Sequence, residues 1–219
     1  MKVIPLGLQC SVPDAIQKAN LREYSYPFDW MWTPSKTTYD ILSVLINDGI
    51  DDAVEYMTTG YSYYKYLGCE RYLSIGSISE CQMNSTSGLG CTHFTMNEEF
   101  KTQLKGRLTR LLQDITSGES LLFVYADAAS PTMNYHLDDV EYGLDATEHL
   151  LKIYELINPL NSRIQVVYFC WDERVGTNGI IEYVPFDFKP DWHHVSYLVQ
   201  CYLERHTSNP CSEQDCKDP

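Results

Sequence analysis

Along the chain, short runs that are apolar throughout alternate with longer stretches in which apolar residues return every three or four positions. Runs of the first kind, at residues 3–6, 121–125 and 164–169, predict strands buried on both faces. The longer stretches predict helices that bury one stripe. The clearest helix opens at Asn97-Glu98-Glu99 and carries Phe100, Leu104, Leu108, Leu111, Leu112 and Ile115 to a stop at Ser117-Gly118. Asn97 is a favourable cap, and two acids suit the start of a helix. Further helices are expected from a Ser11 cap through Ala19, from Thr33-Pro34 to Asp48-Gly49, over 51–57, over 144–157, and from an Asp191 cap through Leu203. Residues 71–75, 89–94 and 180–184 read as additional strands, and 76–90 as a polar loop. This alternation predicts an α/β fold with a mostly parallel sheet and helices on both faces, in a three-layer, flavodoxin-like arrangement. One domain is expected over residues 1–206, with a polar tail over 207–219.

Composition narrows the functional classes. The chain has 219 residues, with 30 acidic against 16 basic side chains and a formal charge of −14. A nucleic-acid backbone needs clustered Lys and Arg, so direct nucleic-acid binding is excluded, and an anionic membrane surface is an equally poor partner. No run of eighteen apolar residues offers a membrane span. The apolar part of the N-terminus is too short for a secretory signal, so a cytoplasmic location (a host's, if the chain is viral) is expected, and the eight cysteines are read as mostly reduced thiols. Six tyrosines lie between Tyr56 and Tyr72. Packing and loop anchoring are their expected use, with stacking on glycans as the other reading.

Ligands of parallel sheets bind beyond the carboxyl ends of the strands. Cys10 follows the first predicted strand and precedes a helix whose N-terminus favours a thiolate, the form that acts as nucleophile. Ser11 is the weaker nucleophile because it is the expected cap. His93, in Gly90-Cys91-Thr92-His93-Phe94, ends a predicted strand at the same rim and is a candidate base. A second base is offered by Asp191-Trp192-His193-His194, in which Asp191 would orient His194. Asp127, just beyond another strand, would orient His93. Asp29, between Phe28 and Trp30, is expected to fix its own loop. No phosphate-binding glycine loop or dinucleotide fingerprint is present, and no cofactor is expected. Cys201, His206, Cys211 and Cys216 offer loosely spaced zinc ligands, with oxidation of Cys211 and Cys216 to a disulfide as the other use.

Leu6-Gly7-Leu8-Gln9-Cys10, Ala15-Ile16-Gln17, Leu21-Arg22 and Tyr26-Pro27-Phe28-Asp29-Trp30 together resemble the N-terminal signature of a papain-like cysteine peptidase family of bacteria and large viruses. Ser87-Gly88-Leu89, His93 and the helix after it extend the likeness over residues 3–126. The resemblance implies Cys10 as nucleophile and His93 as base, and a papain-like α+β fold as the alternative architecture. Phe94 stands where family members commonly carry an acid. The strand–helix order and the Asp-x-x-His near the C-terminus also resemble SGNH-type hydrolases, which implies Asp191 and His194. Both resemblances lead to Cys10. The expected function is a cysteine-dependent hydrolase or acyltransferase acting on a small-molecule, peptide or glycan substrate. The alternatives are a non-catalytic or glycan-binding module and a sugar-transfer enzyme.

Overall fold

A computed structural model describes residues 1–7, 10–59, 61–65, 80–84, 89–91, 97–127, 145–170, 174–186 and 192–207. The apolar runs form the centre of a five-stranded sheet. Strands β1 (Lys2–Pro5), β6 (Leu121–Ala126), β7 (Ile164–Cys170) and β9 (Ile181–Pro185) lie side by side in that order and run parallel. A short strand, β8 (Gly176–Thr177), closes one edge antiparallel to β9. Alternation along β6 divides the interior into two cores. Phe123 and Tyr125 face one core, Leu122 and Val124 the other.

Helices α1 (Ser11–Lys18) and α6 (Trp192–Thr207) cover the Leu122–Val124 face, packing Val12, Ala15 and Ile16 against Val195, Val199 and Leu203. The opposite face is covered by α2 (Ser35–Asn47), α3 (Ile50–Thr58), α4 (Glu98–Thr116) and α5 (Thr147–Ile157). This is the mostly parallel α/β arrangement that the hydrophobic pattern predicts. A second, four-stranded antiparallel sheet has the order β2 (Met31–Trp32), β5 (Gly90–Cys91), β4 (Glu80–Asn84), β3 (Tyr61–Lys65).

The α4 stripe is buried as expected at Phe100, Leu104, Leu108, Leu111 and Ile115. The Asn97 side chain caps the helix by accepting the Phe100 N–H at 2.8 Å. Three expectations change. Ser11 is not the cap of α1: Cys10 occupies that position, without a side-chain cap bond, and Ser11 is the first helical residue. Helix α5 begins at Thr147 rather than 144, where Asp145 accepts the Thr147 N–H at 2.9 Å. The polar stretch 76–90 contains β4, where Glu80-Cys81-Gln82-Met83-Asn84 alternate polar and apolar residues and pair antiparallel with β3. The strand expected over 71–75 lies outside the described residues, as does the tail beyond 207. Among the described residues no helix is long and apolar enough to cross a membrane.

Candidate active site at the carboxyl edge of the sheet

Because β1, β6, β7 and β9 are parallel, the segments that leave them emerge at one rim. Cys10 lies five residues beyond the end of β1 and is half-buried. The chain reaches it through Gly7, whose φ of +103° belongs to the left-handed region that favours glycine. A Cβ at Gly7 would also lie 2.7 Å from the Thr33 carbonyl oxygen and 2.8 Å from Thr33 Cβ. This absent side chain lets the start of α2 close against β1, where Thr38 Oγ1 donates to the Leu6 carbonyl at 2.8 Å. Among the described residues, Ser11 Oγ and Thr33 Oγ1 are buried with no hydrogen-bond partner.

Helix α6 comes to the same rim from β9. Its Ser196 hydroxyl donates to Asp14 Oδ2 at 2.5 Å, joining the second turn of α6 to the first turn of α1. His194 is half-buried in the first turn of α6. His93 and Asp191 lie outside the described residues. Asp127 directly follows β6 at the rim, buried, and the Tyr168 hydroxyl hydrogen-bonds both its carboxylate oxygens at 2.8 and 2.9 Å. Cys10, Cys170 and Cys201 are thiols. Cys201 and His206 sit on α6, Cys211 and Cys216 lie outside the described residues, and among the described residues no group of three His, Cys, Asp or Glu is placed to hold a metal.

The aromatic loop forms a wall beside α1. Asp29 Oδ2 accepts the Tyr26 N–H at 3.2 Å and the Arg22 guanidinium at 2.6 Å, so this carboxylate does fix its own loop. Burial pushes its carboxyl up to about 6, against the pull of Arg22 and Arg107 in the opposite direction. Trp30 holds a left-handed φ of 63°, costly for a bulky side chain, with the Arg22 cation 5.7 Å from its ring centroid. A small cavity beneath is lined by Pro5, Pro13, Ile16, Arg22, Tyr26 and Asp29.

The family model described as "Putative papain-like cysteine peptidase (DUF1796)" matches residues 1–141, well over half of the chain. The chain belongs to this family. The matched part of this papain-like peptidase relative contains Cys10, His93, Asp127 and the loop around Asp29, whereas Asp191 and His194 fall beyond it. No curated protein and no solved structure matches the chain.

A polar group not singled out in the sequence occupies the other side of the rim. Ser35 Oγ, at the start of α2, lies 3.1 Å from Nδ1 of His149 in the first turn of α5. The Tyr125 hydroxyl contacts both the hydroxyl and the amide of Ser35, and the Tyr168 hydroxyl accepts the Ala146 N–H at 3.1 Å. One signal was available: in a parallel sheet, the helix after each strand starts at the carboxyl edge, so a histidine in the first turn of such a helix is a rim residue by position.

Proposed function

We propose that this chain is a cysteine-dependent hydrolase or acyltransferase. Cys10 Sγ attacks an acyl carbonyl carbon, and His93 or His194 accepts the thiol proton and returns it to the leaving group. Water or an acceptor hydroxyl or amine then releases the acyl group. Asp191 orients His194 if that histidine is the base.

The observation that carries this reading is the position of Cys10: half-buried, at the N-cap of α1, directly beyond β1 at the edge where parallel sheets bind ligands. The bond from the Asp14 N–H to the Cys10 carbonyl, at 3.1 Å, closes the first turn. The N–H groups of Ser11 and Val12 lie in that turn, ahead of the first bonded N–H, and are suited to hold a developing oxyanion. Family membership supports an amide carbonyl as the first substrate class to examine.

Alkylation with iodoacetamide at neutral pH, followed by peptide mass spectrometry, tests the proposal. Cys10 is expected to react fastest of the eight cysteines. A Cys10 that alkylates no faster than Cys170 or Cys201 would overturn it.

A further inference from the structure

We infer that Ser35 and His149 form a second nucleophile–base pair, separate from Cys10, that takes a small acyl or phosphoryl group onto Ser35 Oγ. A serine at the start of a helix ordinarily turns its oxygen to its own helix as a cap. Ser35 does not: Pro34 holds the cap position of α2, which has no side-chain cap bond. Its hydroxyl instead meets a histidine from another helix, 114 residues away in sequence. The 3.1 Å separation is within the range required for a base that removes a hydroxyl proton.

The surroundings suit that transfer. His149 Nδ1 faces Ser35, so in the neutral tautomer that accepts the serine proton Nε2 carries the ring hydrogen. Burial holds the imidazolium below its ordinary range. Four charged groups face it, Glu148 and Lys152 from α5 and Lys36 and Asp40 from α2, with acids and bases in equal number. Burial keeps the Tyr125 phenol, which also meets the Ser35 hydroxyl, protonated, so of these two neighbours the imidazole is the base. In the reaction the Ser35 Oγ bond to the carbonyl carbon forms as its proton moves to His149 Nδ1. The leaving group then departs with that proton, and water attacks the ester with His149 again as base. Ser35 is only 7 % exposed, which restricts the acyl group to a small one.

The test uses the intact protein with diisopropyl fluorophosphate and, separately, p-nitrophenyl acetate, reading adducts peptide by peptide. Iodoacetamide labelling of Cys10 is read on a parallel sample, so failure of either site is seen independently. An adduct on Ser35 is expected, formed about 100-fold more slowly in His149→Gln. Its rate should fall with acid through one ionisation below the ordinary histidine value of 6.5. The wild-type adduct does not depend on any variant folding. Absence of a Ser35 adduct, or a His149→Gln protein that is folded by circular dichroism and labels as fast as wild type, would overturn the inference.

Discussion

The two sides of the rim are built differently. At the Cys10 corner the helices α1 and α6 meet mainly through apolar side chains, with one polar clamp from Ser196 to Asp14 and an ionic wall around Asp29. At the Ser35 corner, helices α2 and α5 are joined at their first turns by a hydrogen bond between side chains that each bring chemistry. The first corner keeps its polar groups beside the candidate nucleophile, and the second ties nucleophile and base directly together. A reactive side chain can therefore be recognised from its local placement, but a reactive pair depends on where two separate helices end up.

Gly7 links the corners, and changing it gives the largest expected effect. Gly7→Ala adds both a disfavoured left-handed alanine and a clash with Thr33 that the backbone carbonyl cannot escape. A loss of about 2–4 kcal/mol is expected in urea unfolding. A loss below ~0.5 kcal/mol would mean that α2 does not close on β1 as described.

The next effect separates the corners kinetically. Replacing the proposed base of Cys10, whether His93 or His194, by alanine should slow Cys10 alkylation at neutral pH by about 100-fold. His149→Gln should leave that rate within about twofold, because His149 lies on the opposite face. Equal slowing by both would merge the corners into one site.

The polar clamp comes third. Ser196→Ala removes a hydrogen bond to a carboxylate that is also paired with Lys18, so a loss of about 1–2 kcal/mol is expected. Thermal melting compared with Asp14→Asn, which keeps an acceptor, checks that the cause is the bond rather than the packing.

The smallest effects have opposite signs. The folded state raises the Asp29 carboxyl from 3.8 to about 6, so between those values it holds a proton that the unfolded chain has lost. Stability from this group therefore rises as pH falls through about 6 and is complete below 3.8. The folded state lowers His149 below 6.5, so the unfolded chain takes up the proton first and stability is lost as pH falls below that value. Urea titrations should show Asp29→Asn removing the first trend and His149→Gln the second. If neither variant changes the pH dependence, the two environments are not as dry as their burial implies.

Much of the frame is legible in the sequence because burial on a regular element imposes a period. The apolar runs 121–125 and 164–169, the stripe from Phe100 to Ile115 and the Asn97 cap each predict their own local structure. The same local reading sets Cys10 apart, since a strand, a turn and a helix start follow one another within a few residues. Where the side-chain period was short or silent, tertiary structure decided. β4 alternates over only five residues inside a polar stretch, and its pairing to β3 is what marks it as a strand. Cys10 takes the cap and Ser11 begins the helix, one residue earlier than the hydroxyl signal placed it. The joining of Ser35 to His149 is also non-local: neither residue departs from its own helix pattern, and only the closure of α2 and α5 over the sheet brings the hydroxyl to the imidazole. The sequence by itself determined the layers and the candidate thiol, because those depend on local burial. The tertiary structure decided which polar groups meet, because hydrogen bonds between distant helices leave no period along the chain.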